Sequence, residues 1–399
     1  MSTNIFILSA VLVTALLLGW PRISRSPIWR ATITPLASII GSGFLVLGPI
    51  LDHAYGGYAP FVMIALCLTA YLFGAAIREN IKTLAEGGPR SVVVSRIEQI
   101  ASWSLAGAYV ISVAYYLNLF GAFAVSLTIA DTPQNAKLVT TTILVAIASI
   151  GWTRGFGALE RLEQFSVTLK LSIIAGLLVG MFIYFGETAS SGDLMFNPPV
   201  LGPWQSVTLA FGLIVTVQGF ETSRYLSEEY DPATRIKTMR RAQWISSAIY
   251  LIYILLLSCV FAPTDMALSE TAIIDMMNLV APILPVLLVV AALSAQFSAA
   301  IADTGGCGGL VEELTEHRVV QKQAYIALAV IGIGLTWWAD IFEIISYASR
   351  AFALYYALQA SIAAYQSWHT SRVSFKTLLY GFLAFLGAAI AVLGTAIES

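Results

Sequence analysis

The chain has 399 residues, of which 58% are hydrophobic and only 11% are charged, and its mean hydropathy is +0.80. A soluble domain carries about 25% charged residues. This composition therefore excludes a soluble domain and predicts an integral membrane protein in contact with the lipid bilayer. The net charge of −2 does not indicate a nucleic-acid partner. The three cysteines lie in apolar stretches and the three histidines lie in or beside loops, so we predict neither a disulfide framework nor a bound metal or cofactor.

A membrane-spanning helix needs about 20 mostly apolar residues. The first apolar stretch, 5–20, has no positive residue before it and three arginines after it. A cleaved signal peptide has the opposite order, so we predict a retained helix whose N-terminus lies outside. Further apolar stretches complete a predicted set of twelve spans: 33–51, 59–78, 92–127, 138–153, 161–186, 204–230, 238–261, 280–314, 324–338, 342–366 and 375–396.

The positive residues support this topology. Apart from Lys170 and Arg350 within spans and Lys137 on the outer side, every Lys and Arg lies in or beside alternate loops, while the facing loops are acidic or neutral. The positive-inside rule then places both termini on the extracellular or periplasmic side of the plasma or inner membrane.

Two of the predicted spans contain glycine-rich interruptions. Residues 40–44 read Ile-Gly-Ser-Gly-Phe, and residues 216–221 read Thr-Val-Gln-Gly-Phe-Glu. Lipid does not satisfy the backbone of such a break, so each must face protein or a water-filled cavity. A matched pair of breaks in two halves of a chain indicates a transport site.

We therefore predict an all-α membrane protein with one transmembrane domain over 1–399. Its core has ten helices in two sets of five with opposite orientation, and the first and sixth core helices are discontinuous. The predicted parts are an extra N-terminal helix and basic loop, a first repeat, an inverted second repeat and a last helix, over 1–30, 31–186, 203–366 and 373–399 respectively.

Four short motifs carry a resemblance to a known family. They lie at 41–44 (Gly-Ser-Gly-Phe), at 88–91 (Gly-Pro-Arg-Ser), at 166–171 (Ser-Val-Thr-Leu-Lys-Leu) and at 219–232, from Gly-Phe-Glu to Asp-Pro. In this order and on these helices they resemble the amino acid–polyamine–organocation (APC) transporter superfamily. The resemblance implies a secondary transporter in which the first, second, sixth and seventh core helices rock against a scaffold. The extra leading helix, Arg224 and Asp303 depart from the family pattern and leave the substrate open.

The predicted substrate site lies between the two breaks. Free N–H groups after the first break would suit a carboxylate, and aromatic side chains nearby would form walls. The alternative for these residues is ordinary packing, since small residues four apart also permit close helix approach. The candidate substrate-binding residues are Ile40, Gly41, Ser42, Gly43, Tyr115, Tyr116, Gln218, Gly219 and Phe220.

Charged residues inside the membrane are costly and indicate function or pairing. The resemblance implies that Lys170 occupies the place of a sodium ion, so that its titration would couple transport to protons, and that Glu221 acts in a gate. Asp303 is the predicted partner of Lys170. The candidate coupling and gating residues are Lys170, Glu221, Ser298, Asp303 and Arg350.

Other roles stay open for these charged residues, including structural ion pairs. Glu221 can pair with Arg224 three residues on, and Arg350 can pair with Asp303 or Glu221 or bind a substrate carboxylate. The surplus of embedded positive charge hints at an anionic or zwitterionic substrate. Asp303 and nearby hydroxyls would also suit sodium, although a neighbouring lysine would compete with it.

The sequence thus predicts a non-enzymatic secondary transporter of an amino acid or a related small amine or organic acid, with protons favoured over sodium. A transporter-like sensor or scaffold that binds its ligand without turnover is the alternative. The oligomeric state and the direction of transport stay open.

Overall fold

A computed structural model describes residues 2–41, 43–87, 91–154, 161–226, 230–261 and 269–397. The described part is helical, with connecting turns and loops and no strand. The fifteen α-helices are Ser2–Gly19 (α1), Pro21–Ser24 (α2), Pro27–Ile39 (α3), Gly43–Tyr55 (α4), Ala59–Ala85 (α5), Val92–Val125 (α6), Pro133–Arg154 (α7), Arg161–Ser191 (α8), Pro203–Gly212 (α9), Pro232–Leu257 (α10), Ala272–Val280 (α11), Leu284–Leu314 (α12), Gln321–Trp338 (α13), Ile341–Ser371 (α14) and Phe375–Leu393 (α15).

Both predicted interruptions are real breaks in the helices. The first separates α3 from α4. The second follows α9 and continues as two 3-10 segments, Ile214–Val217 and Phe220–Tyr225. The sequence predicted one broken span over 204–230, and the structure shows that its second part is 3-10 rather than α-helical. The nine-residue helix α11 was not predicted, because its stretch contains Asp275 and was assigned to an acidic loop.

Proline and short polar side chains begin several of these helices. Proline is the first residue of α3, α9 and α10, where its missing N–H costs nothing. The Ser91 side chain accepts a hydrogen bond from the Val94 N–H at the start of α6. Asp231, which immediately precedes α10, accepts a hydrogen bond from the Thr234 N–H in the same way. Such caps satisfy N–H groups that have no partner within the helix.

The helices pack in two groups that meet at the breaks. In one group, α10 packs on α5 and α3, and α3 packs on the 3-10 segment Phe220–Tyr225. In the other, α6 packs on α12, α14 and α7. The extra helix α1 lies on α8, where Ile7 is fully buried against Gly176 and Gly180.

Within the part of the chain that the structure describes, six helical stretches are long and apolar enough to span a membrane: Gly43–Ala85, Val92–Val125, Pro133–Thr153, Phe165–Ser191, Leu284–Leu314 and Phe375–Leu393. Large apolar side chains are exposed on several of these, including Phe182 and Phe385, as expected for helices that face lipid. The full set of twelve spans and the inverted repeat stay predictions.

Candidate functional site

The first break leaves helical geometry at Ile40. Helix α3 ends at Ile39, and Ile40 has φ −84° and ψ 50°. Helix α4 starts at Gly43, and Ser42 lies outside the described residues. The last carbonyls of α3 and the first N–H groups of α4 therefore lack the partners that a continuous helix would supply.

The second break turns at Gly219. Gln218 is extended, with φ −83° and ψ 177°, and Gly219 has φ +115°. A side chain is disfavoured at this φ, so glycine is the residue that permits the turn.

The two breaks pack directly against each other. A Cβ added to Gly43 would lie 2.6 Å from the Thr216 Cα, and one added to Gly219 would lie 2.6 Å from the Ser38 carbonyl carbon. Glycine is thus needed at both points to let the two backbones touch. The structure brings together the two predicted halves of the substrate site.

Predicted wall residues lie beside this contact. The Gln218 amide donates to the Tyr116 hydroxyl at 3.0 Å, and the Tyr115 and Tyr116 rings lie 5.2 Å apart. Phe220 stacks on Tyr356 of α14 at 5.1 Å. All of these side chains are buried.

Lys170 contacts the end of the first half-helix. Its side chain is 2% exposed, and its Nζ donates to the Ala37 carbonyl oxygen at 2.6 Å. Ala37 is in the last turn of α3, so the ammonium satisfies one of the carbonyls just before the break.

The sequence predicted Asp303 as the partner of Lys170. The ion pairs between residues that the structure describes do not include one between these two side chains. The Asp303 carboxylate instead accepts a hydrogen bond from the Ser112 hydroxyl of α6. Ser298, five residues earlier on α12, is half-buried.

The Glu221 carboxyl group is fully buried, with 0% exposure. Its Oε2 accepts hydrogen bonds from the Gly219 N–H and the Tyr356 hydroxyl, both at 2.9 Å. Its Oε1 has no hydrogen-bond partner among the described residues. Glu221 and Asp303 are close enough to interact electrostatically, so two acidic groups share this buried region.

Arg224 does not pair with Glu221 along its own helix, as one alternative supposed. Its Nη2 lies 2.5 Å from Glu98 Oε1 on α6, and its Nη1 donates to Gln359 Oε1 on α14 at 2.7 Å. Glu221 and Arg224 each bind partners on other helices instead, Tyr356 for Glu221 and Glu98 for Arg224. Arg224 thus links the second break to the other helix group.

We expect Arg224→Ala to lower the free energy of unfolding by about 1–3 kcal/mol, since it leaves Glu98 partly buried without its cation. Unfolding of the purified chain in detergent measures this loss. The control is Lys82→Ala, because Lys82 and Glu86 are exposed and 3.9 Å apart, and exposed pairs contribute at most about 1 kcal/mol. Equal losses in the two variants would contradict the linking role of Arg224.

Arg350 contacts the last helix rather than Asp303 or Glu221, with which pairing was one of the alternatives left open. It is exposed, and its Nε donates to the Ala391 carbonyl of α15 at 2.8 Å. The adjacent Ser349 faces the second break instead: its hydroxyl donates to the Gly212 carbonyl at 2.6 Å and accepts from the Val215 N–H at 3.1 Å. Successive helical side chains point about 100° apart, which explains how neighbours face different sides.

Tyr250 of α10 also contacts the breaks and was missed by the sequence analysis. Its hydroxyl lies within hydrogen-bond distance of one carbonyl from each break, those of Ile39 and Thr216. A tyrosine in an apolar helix gives no signal of this role. Beside it, the described residues leave a cavity of about 10 Å³ lined by Ile39, Val217 and Gln243, which is room for roughly one water.

The described residues contain no group of three His, Cys, Asp or Glu side chains that would hold a metal ion. The polar atoms at the breaks are mainly hydroxyl, amide and backbone groups with two carboxyls. This donor set suits an organic ligand that makes hydrogen bonds.

Comparisons with known proteins agree on the family. A family model described as APC superfamily transporter matches residues 21–394. An uncharacterized protein of Aquifex aeolicus (strain VF5) is 39% identical over 369 residues, which are 90% of this chain and 89% of that protein.

Solved structures give the fold. Two crystal structures of the manganese transporter of Eremococcus coleocola, each of a different single mutant, match with a TM-score of 0.60 over 92% of this chain and 86% of theirs. Their sequence identity to this chain is 10%, so the likeness concerns the fold alone.

Proposed function

The chain belongs to the APC superfamily of transporters, and we propose that it moves an amino acid or a related small amine across the membrane by alternating access. The substrate would bind where the two broken helices meet. An ion gradient or exchange would drive the movement.

Unfilled hydrogen-bond acceptors at the second break carry this proposal. Gln218 Oε1 and Glu221 Oε1 are buried and have no partner among the described residues. Buried polar atoms are nearly always hydrogen-bonded, and both of these atoms accept rather than donate. A ligand with several N–H donors and a positive charge, such as an ammonium group, complements them. This favours a cationic or zwitterionic substrate, whereas the embedded charges alone suggested an anionic or zwitterionic one.

The close packing of the breaks supports alternating access. A cavity of about 10 Å³ beside them does not hold an amino acid. The two helix groups would have to separate for a substrate to enter. If they separate on the side of the site where Arg224 lies, the Arg224–Glu98 ion pair between them would break.

A manganese substrate is less well supported by the site. Manganese prefers carboxylate, carbonyl and water ligands, and the two carboxyl groups nearest the breaks already accept hydrogen bonds from Ser112 and Tyr356. The described residues also lack a three-ligand metal cluster.

Proton coupling through Lys170 is part of the proposal. A lysine is able to lose its proton when buried, and the Ala37 carbonyl would then lose a charged donor. A sodium ion at the same carbonyl would have to displace the ammonium.

The proposal is tested by a thermal-shift screen of the purified full chain with amino acids, amines and organic acids at two pH values. A ligand at 100 times its Kd stabilises the folded state by about 2.7 kcal/mol. Compounds that stabilise the protein are then tested for uptake into proteoliposomes under a pH gradient. We expect an amine-bearing compound to bind the wild type and to bind Glu221→Gln at least roughly tenfold more weakly, since a charge-assisted hydrogen bond contributes about 1.5–3 kcal/mol.

Binding without uptake would indicate a sensor rather than a transporter. Stabilisation by Mn²⁺ alone, with no organic compound active, would contradict the amine proposal.

A further inference from the structure

We propose that the Tyr250 hydroxyl is the clasp that holds the two broken helices together and so positions the substrate site. It donates to the Thr216 carbonyl at 2.6 Å and to the Ile39 carbonyl at 3.0 Å. Tyr250 is 1% exposed. The inference rests on the proposed role of the breaks as the binding site, but its test needs no substrate.

The two carbonyls need this donor because of where they lie. The Ile39 carbonyl ends α3, and the last four carbonyls of a helix have no partner within it. The Thr216 carbonyl belongs to the 3-10 segment before the extended Gln218. Lipid offers no hydrogen-bond donor, so each carbonyl must be satisfied by protein or by the single water for which the adjacent cavity has room.

One hydroxyl reaches both carbonyls only when the breaks are in contact. Gly43 and Gly219 allow that contact, as the short distances to Thr216 and Ser38 show. A hydroxyl has a single proton, so the two acceptors share it in a three-centre bond. Separating the breaks even slightly would leave one carbonyl without a donor.

The ring of Tyr250 is fixed by the half-helix on the other side of the first break. Phe44 of α4 lies 5.5 Å from the Tyr250 ring and 4.5 Å from the Tyr253 ring. Tyr250 thus contacts α3 and the second break through its hydroxyl and α4 through its ring. A change in the angle between α3 and α4 would therefore alter the hydrogen bonds that the Tyr250 hydroxyl makes.

Tyr253 is a matched control on the same helix. It is also fully buried and packs on Phe44, but its hydroxyl lies over Gly48 and has no hydrogen-bond partner among the described residues. Removing this hydroxyl deletes the same atom without releasing a carbonyl of either break.

The experiment is hydrogen–deuterium exchange of the purified full chain in detergent, read on peptides covering 36–41 and 213–220. The reporting amides include those of Ile40 and Thr216, which donate to Leu36 and Leu213. Tyr250→Phe is expected to raise exchange at both breaks roughly tenfold, since it leaves buried carbonyls unsatisfied. Tyr253→Phe is expected to leave both peptides as in the wild type.

A second variant tests the bond itself. Replacing Tyr250 by 4-aminophenylalanine puts two N–H donors at the same place, one for each carbonyl, and should keep exchange at both breaks at or below the wild-type rate. This variant also serves if Tyr250→Phe does not fold. Unchanged exchange in Tyr250→Phe, equal effects of Tyr250→Phe and Tyr253→Phe, or fast exchange with 4-aminophenylalanine would each overturn the clasp.

Discussion

Gly219→Ala is expected to be the most destabilising single substitution at the site, lowering the free energy of unfolding by several kcal/mol. The residue has φ +115°, and backbone strain of this kind costs about 1–3 kcal/mol. The added Cβ would also clash with the Ser38 Oγ and lie 2.6 Å from the Ser38 carbonyl carbon. Overpacking costs roughly another 1–3 kcal/mol, and here part of the clash is with backbone, which has little room to move.

This effect is measured by unfolding the purified variants in detergent and monitoring the loss of the helical circular-dichroism signal. Gly107→Ala on α6 and Gly305→Ala on α12 are the controls, because an added Cβ meets nothing within 4 Å at either position. Alanine has the higher helix propensity by about 1 kcal/mol, so the controls should be as stable as the wild type or slightly more stable. A Gly219→Ala protein that unfolds together with the controls would show that the two breaks are not in contact as described.

The breaks themselves were predictable because their signal is local. Gly41, Gly43 and Gly219 interrupt apolar stretches, and lipid allows such interruptions only where the backbone is covered. A substrate site between them was expected from the matched pair, whereas their direct contact was not predicted. The 3-10 form of Phe220–Tyr225 was not predictable, since it depends on distant groups such as Tyr356 that bind Glu221.

The hydrogen-bond and ion-pair partners of the charged residues could not be predicted from the sequence. Distance along a helix gives the depth of a side chain, and on that basis Lys170 and Asp303 were placed together. Which way each side chain points depends on how the helices are rotated, and one residue changes this direction by about 100°. Ser349 and Arg350 are neighbours that show the consequence. Ser349 hydrogen-bonds to the second break, whereas Arg350 hydrogen-bonds to α15.

Single hydroxyl groups were missed for a related reason. Ser112, which binds Asp303, and Tyr250, which binds both breaks, are common residue types in any membrane helix. Nothing in their neighbours distinguishes them from residues that only pack. Their roles depend on groups that lie far away in the chain.

Lys170→Met is expected to remove the pH dependence of uptake and to lower its rate roughly 10- to 100-fold at the wild-type optimum. The Nζ lies 2.6 Å from the Ala37 carbonyl oxygen, and a charged hydrogen bond of this kind contributes about 1.5–3 kcal/mol. In the proposed cycle the ammonium holds α3 against α8, and loss of its proton weakens that hold. Methionine fills similar space but has no proton to lose, so the contact would no longer respond to pH.

The test is uptake into proteoliposomes of the compound found in the thermal-shift screen, measured from pH 5 to 9 (about two units either side of neutrality). The pH profile of Lys170→Met is compared with those of Asp303→Asn and Lys82→Met. Lys82 is exposed, and its variant should keep the wild-type profile. Asp303 is the competing candidate, because it is also a buried titratable group and its Ser112 bond joins α12 to α6. A flat profile in Lys170→Met with a retained profile in Asp303→Asn supports the lysine. The reverse pattern would assign proton coupling to Asp303 and leave Lys170 as a structural donor to α3.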